Sequence, residues 1–285
     1  MFGFLGLEME KETDKQASIY FHVGLGKIAS KYMQQKVFPN FKGLTYVPSR
    51  KYYRIFQELE ETNAESILIS REFDQQFEKE VIKFAEKYPD THAILFLRRQ
   101  DSWIASQYRR FAKNGFTGTF SDFIDPVENK GRFRMEDLEF GNKIKLLEEV
   151  FNPKPLIIIY DDFLKDPANT ILKIADYCNA NIDISKLDFK KVHSSYNEKQ
   201  IKYMQAIARV IPVNNEQLPK NRILFFLARL PVLIFRYFIL YTALLLPKSW
   251  VSKKPLIPKN ALEEIKKLTS ADWEYCLSRA AENTL

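Results

Sequence analysis

The stretch Ala17-Ser-Ile-Tyr-Phe-His-Val-Gly-Leu-Gly-Lys-Ile-Ala-Ser-Lys-Tyr-Met-Gln-Gln35 decides the fold. Ser18 to Val23 is short and mostly apolar, which predicts a buried strand. Gly24 to Gly26 predicts a turn, and a helix is expected to open at Lys27. Such a turn aims backbone N–H groups at one point where the helix dipole is positive, and so holds a phosphate or sulfate with few side chains. Lys27 adds a full charge at the same place. The stretch therefore predicts an α/β protein that handles an anion.

Working outward, Leu44 to Val47, Ile67 to Ile69, Ala93 to Leu97 and Leu156 to Tyr160 predict further strands. Helical spacing falls between them, at Tyr52 to Glu61, Phe73 to Tyr88, from Asp101 onward, Leu138 to Phe151 and Ala168 to Cys178. Apolar strands alternating with amphipathic helices predict a mostly parallel, P-loop-like α/β sheet flanked by helices. Residues 17–200 are expected to form this domain, behind an N-terminal extension, 1–16, and ahead of a helical C-terminal extension, 201–285. Ligands of such sheets bind beyond the carboxyl ends of the strands, which gathers Gly24 to Lys27, Ser70 to Glu72 and Arg98 at one edge. Residues 113–134 are glycine-bearing and aromatic without a period, and are expected to form a mobile loop over that edge.

Composition narrows the partners. With 285 residues and 46% apolar content, the chain can bury one large core. A net charge of +7 suits an acidic cofactor, an anionic substrate or a membrane surface, and equally an ordinary solvated basic face. The two cysteines, Cys178 and Cys276, sit in helical spacing, so a disulfide framework is not expected and a reducing, cytoplasmic compartment fits. Met1 to Leu7 is apolar, but Glu8, Glu10, Lys11 and Glu12 follow at once, too soon for a signal peptide or a membrane span. His22, His92 and His193 lie on separate segments, and no metal is expected.

Three of the strand ends together resemble sulfotransferases that use 3′-phosphoadenosine 5′-phosphosulfate (PAPS), particularly the bacterial carbohydrate-type members. The phosphosulfate loop of that family corresponds here to Gly24-Leu25-Gly26-Lys27-Ile28-Ala29-Ser30-Lys31, in which Gly24, Lys27 and Ser30 match while Ile28, Ala29 and Lys31 depart. Ala29 is expected to keep a helical backbone there, and Lys31 to replace lost hydroxyl donors with charge. The family reads the 3′-phosphate with an arginine at a strand end and a serine eight positions on, as Arg98 and Ser106 stand here. Arg98 paired with Asp101, and Ser106 as helix filler, is the competing reading. The resemblance further implies Lys27 as the charge on the reacting phosphosulfate and, through Ser70-Arg71-Glu72, Glu72 as the base that takes the acceptor's proton. His22 is the second candidate base.

The implied acceptor is a hydroxyl of a glycan, glycolipid or small alcohol, with no nucleic-acid partner. The family likeness extends through Ile157 to Pro167, where Asp161 and Asp162 are expected to cap the next element. It touches His193 to Tyr196, Leu256 to Pro258, and Asp272 to Tyr275.

Two other functions compete. A P-loop kinase or NTPase requires glycine where Phe21 stands and a hydroxyl where Ile28 stands, although Asp161 imitates its second metal-binding acid. An inactive, membrane-peripheral binding protein of the same fold fits the departures in the loop. Residues 223–246 bear on the membrane: they run apolar for the length of a span but carry Arg229, Pro231 and Arg236. Arg222, Arg229 and Arg236 recur every seven positions, so they share one helix side opposite a wide apolar face, the pattern of a helix in the membrane interface. That reading places the chain peripherally at the inner face of a membrane. The alternative is a buried helix pair broken at Pro231 with the arginines at its rim.

Overall fold

The computed structural model describes residues 17–189, 196–211, 213 and 221–282. Five strands form one sheet: β1 (Ser18–Gly24), β2 (Thr45–Val47), β3 (Ser66–Glu72), β4 (His92–Leu97) and β5 (Leu156–Ile159). They lie in the order β2-β3-β1-β4-β5, and every neighbouring pair is parallel, as the alternation of apolar strands and amphipathic helices predicts. β1 is central, paired with β3 on one side and β4 on the other; the chain fills the β2-β3 side first and then crosses from β3 to β4. The edge beyond Gly24 is therefore the point where the strand order reverses, the usual ligand position in such sheets.

The helices are α1 (Ser30–Tyr32), α2 (Ile55–Glu60), α3 (Phe77–Ala85), α4 (Gln100–Lys113), α5 (Phe120–Phe123), α6 (Phe140–Val150), α7 (Tyr160–Lys165), α8 (Pro167–Tyr177), α9 (Glu198–Ala208), α10 (Arg222–Thr242), α11 (Lys259–Leu268) and α12 (Ser270–Glu282). α3 shows why they pack as they do. Phe77, Val81, Phe84 and Ala85 share one face and are all buried, while its charged residues face water. Burial of each such side chain contributes roughly 1.5–3 kcal/mol for the large ones.

Several expectations are corrected. The first helix opens at Ser30 rather than Lys27, because Lys27 (φ 72°) and Ala29 (φ 54°) are both left-handed and cannot belong to a right-handed helix. It runs on into a π turn, Met33–Val37. Residues 113–134 are not a loose cover. Phe120, Phe123 and Phe133 are buried, Tyr108 packs edge-on against Phe120 and Phe123, and α5 begins at a capping box between Thr119 and Asp122. Ring stacking needs no regular spacing, which is why the segment has no period. The expected exit loop after β5 is the helix α7, and the capping acid is Asp166, which accepts from the Asn169 amide at 3.0 Å to start α8, rather than Asp161 or Asp162.

The C-terminal helices divide. α11 and α12 join the main core through Ile265 and Cys276. From α12, the Asp272 carboxylate accepts from the Phe140 and Gly141 amides at 3.0 and 2.9 Å, and from Gln100 Nε2 at 2.7 Å. One acid thus neutralises the positive start of α6 and ties it to the first residue of α4. α10 instead packs on α9 around a smaller cluster of Met204, Val213, Ile239 and Leu240. It is one continuous helix through Pro231, not a broken pair.

Candidate active site

At the carboxyl edge of β1, Gly24 lies in register with Glu72 on β3. Between Gly24 and Ser30 the chain makes a tight turn whose left-handed residues, Lys27 and Ala29, create a concavity of backbone amides. Among the described residues none accepts from the amides of Lys27, Ile28 and Ala29. Leu25 and Ile28 point the other way and are fully buried, anchoring the turn in the core. With its side chain buried there, position 28 offers nothing to a metal ion, which weighs against the kinase arrangement.

The turn is held at Gly26 from both sides. Its N–H donates to Asp74 Oδ1 at 3.0 Å, and its carbonyl accepts from Trp103 Nε1 at 2.9 Å. Asp74 is itself bound by Gln107 Nε2 at 2.9 Å and by the Arg110 guanidinium at 2.6 Å. A Cβ on Gly26 would stand 3.2 Å from both Asp74 and Arg110, so glycine is what admits this brace. Asp74, Trp103, Gln107 and Arg110 were not identified from the sequence. The available signal was the one-face spacing of Trp103, Gln107 and Arg110 on α4, which becomes informative only once α4 is known to lie beside the turn.

Cations converge here. Lys27, although solvent-exposed, has its pKa lowered by surrounding protein and then by Arg110, Lys31 and Arg98, with Glu72 opposing. Burial likewise lowers the Lys113 pKa, with Lys27, Lys31, Arg236 and Arg110 adding to it, while its ammonium lies 5.8 Å from the Tyr196 ring centroid. In both lysines burial is the larger cause and neighbouring cations the smaller, so several positive groups share this edge. Glu72 is shifted the other way: burial raises its carboxyl pKa, against a hydrogen bond from Ser30 and the attraction of Lys31 and Arg110.

His22 does not reach this edge. It is fully buried, with Nδ1 2.7 Å from Ser70 Oγ and its ring between Phe38 and Phe96, and burial pushes its pKa down to about 3. Ser70 is also bound by Gln34 Nε2 from the π turn at 3.0 Å. His22 and Ser70 therefore brace β1 against β3 from within.

Beyond β4, Arg99 rather than Arg98 takes Asp101, at 2.6 Å. Arg98 is left to donate to Ser102 Oγ at 2.8 Å and to lie 5.0 Å over the Tyr160 ring. No described carboxylate pairs with it. Ser102 and the partly exposed Ser106 stand four residues apart on one line of α4, and Arg98, between β4 and that helix, reaches Ser102. Ser102 was missed in the sequence because it lies inside the eight-residue interval. His193 to Ser195, the other expected polar segment, lies outside the described residues.

A cleft of about 340 Å³ opens beside this edge, lined by Tyr52, Tyr53, Phe56, Arg71, Glu72 and Glu80, among others. Aromatic rings set among charged and polar groups make it amphipathic.

Among solved structures, a sulfotransferase from Alicyclobacillus acidocaldarius is similar to this chain over 67% of its residues and 92% of that protein, with a TM-score of 0.45 and 13% identity. Mouse sulfotransferase SULT7A1 complexed with PAP is similar over 59% of this chain and 61% of its own, with a TM-score of 0.39 and 15% identity. No family model matches the chain, and no curated protein matches it.

Proposed function

We propose that this chain transfers a sulfuryl group from PAPS to a hydroxyl of a glycan, glycolipid or other alcohol. The observation that carries the proposal is Arg98, released from Asp101 by its neighbour and bound to Ser102 on the line of Ser106, beside a braced turn with open amides and several cations. The donor would supply an activated sulfuryl group with a nucleotide phosphate as leaving group.

The residues at this edge fit such a polyanion. The amides of Lys27, Ile28 and Ala29, with Ser30, would hold the phosphosulfate; Gly24, Leu25 and Gly26 set the shape of the turn, and Lys31 adds charge. Arg98 and Ser106 would read the second phosphate, with Ser102 orienting the guanidinium. Sulfuryl transfer, like phosphoryl transfer, rests mostly on positioning and on neutralising charge at the non-bridging oxygens. Lys27 is the mobile cation suited to that task. Glu72, with its pKa raised, is suited to accept the acceptor's proton, and the adjoining cleft is where we place the acceptor. We place the reaction in the cytoplasm.

Incubation with radiolabelled PAPS and fractionated glycans, glycolipids and small alcohols tests the reaction, with Lys27→Ala as the blank. Thermal stabilisation by 3′-phosphoadenosine 5′-phosphate and not by ATP with Mg²⁺ is expected. Stabilisation by ATP with Mg²⁺ alone would return the chain to the kinase class. Absence of both would make it a binding protein of the same architecture.

A further inference from the structure

α10 presents its apolar side to solvent. Of the arginines, Arg236 faces the protein: it is buried, and its Nε donates to the Val213 carbonyl at 2.5 Å, while Arg229 is exposed. On the opposite side Leu227, Leu230, Ile234, Phe238, Tyr241 and Leu245 stand three or four residues apart, each between 56% and 87% exposed. The helix has 21 residues, so the strip runs about 30 Å. An apolar strip of that length is not left to water without a partner. No described helix is long and apolar enough to cross a membrane, so this one would meet a bilayer along its side.

The surroundings indicate what covers it. No acidic residue stands between Glu216 and Glu263, while Lys248, Lys253 and Lys254 are exposed just after the helix. Trp250, among these lysines, is 68% exposed. An apolar strip edged by cations, with tyrosine and tryptophan beside it and no acid, matches the interface of an anionic bilayer. A second copy of this chain would bring the same lysines face to face, which like-charge repulsion opposes.

We propose that α10 and residues 248–254 form a docking surface for an anionic lipid bilayer. The helix lies along the surface, its strip among the acyl chains and Lys248, Lys253 and Lys254 at the headgroups. The orientation is fixed by α9. Lys199 Nζ caps the carbonyls of Leu244 and Leu246, both at 3.0 Å, and Gln200 Nε2 donates to the Leu240 carbonyl at 2.8 Å. On its other side Gln205 Nε2 donates to the Phe116 carbonyl and the Tyr108 hydroxyl, at 3.1 and 3.2 Å, tying α9 to α4. The proposal rests on the exposed strip and its charge, and stands or falls independently of the transfer reaction.

The test is sedimentation of the full chain with vesicles, no sulfate donor present. Binding is expected to phosphatidylcholine vesicles containing phosphatidylserine, to fade with added salt, and to be weak with phosphatidylcholine alone. The triple change Ile234→Gln, Phe238→Gln, Leu245→Gln, all at exposed sites, is expected to weaken binding by well over roughly tenfold without altering the melting temperature. Should that variant misfold, Lys248→Gln, Lys253→Gln and Lys254→Gln together provide the second arm, each change weakening binding about fivefold. The proposal is overturned if the unmodified chain ignores anionic vesicles, or if neither variant alters its binding. It is equally overturned if the chain forms a dimer that the first variant abolishes while vesicle binding is absent.

Discussion

Replacing Asp74 with alanine isolates the brace on which the anion turn depends. Its carboxylate accepts from the Gly26 amide at 3.0 Å, from Gln107 at 2.9 Å and from Arg110 at 2.6 Å. The Arg110 pair is partly solvated, with side-chain exposures of 30% and 19%, and is therefore worth about 1 kcal/mol at most. The Gly26 amide lies in a buried turn; leaving it without an acceptor costs about 1–3 kcal/mol. Alanine should destabilise the protein by about 3 kcal/mol in urea denaturation, at an unchanged m-value. Asparagine retains an acceptor for Gly26 and should cost only about 1 kcal/mol, the share of the ion pair. Hydrogen exchange read by mass spectrometry on the peptide containing residues 24–30 should accelerate in the alanine variant and much less in the asparagine variant. If alanine costs less than about 0.5 kcal/mol and exchange in that peptide is unchanged, Trp103 alone holds the turn and the reasoning about Asp74 fails.

Three further outcomes are expected. Ala29→Gly should stabilise the protein by about 1 kcal/mol, the left-handed penalty less the entropy that glycine adds to the unfolded chain, and raise Tm by roughly 2 °C; a drop in Tm would mean that position 29 is not left-handed in solution. Because the Glu72 pKa is raised, its folded state favours the proton, so its contribution to stability is full below the ordinary glutamate pKa and is lost as pH rises through the folded value. Glu72→Gln should then be more stable than the parent at neutral pH while losing turnover and the acid limb of the pH–rate profile; normal turnover with saturating acceptor excludes Glu72 as base. Arg98→Ala should weaken binding of 3′-phosphoadenosine 5′-phosphate by roughly 10- to 100-fold in calorimetry, about what losing a charged hydrogen-bonding contact costs, whereas Arg99→Ala should change it little. Equal losses would show that the two arginines have been assigned the wrong way round.

Which residues meet at the sheet edge was legible before the fold was known, because strand ends in a parallel sheet converge by topology. Gly24, Lys27, Glu72 and Arg98 each follow an apolar run, and the sheet brings those runs to one edge. The brace was not legible. Asp74 lies 48 positions from Gly26, and Gln107 lies 33 from Asp74, so nothing local announces that they touch. The conformation of Ala29 was also hidden, since alanine favours helix by local propensity yet is left-handed here, in a turn anchored in the core by buried Leu25 and Ile28 just before it. In α10 the periodicity of the arginines located a distinct face, but which face turns outward depended on Arg236 finding the Val213 carbonyl.

The sequence by itself determined the parallel sheet flanked by helices and which strand ends meet at its edge, because hydrophobic period follows from residues near one another in the chain. Tertiary structure alone decided the state of the anion turn: its left-handed residues, the clasp on Gly26, the pairing of Arg99 rather than Arg98 with Asp101, and the crowding of Lys27 and Lys113. These are long-range or competitive choices, settled by which partner the fold brings within hydrogen-bonding distance, and no local pattern of residue types encodes that distance.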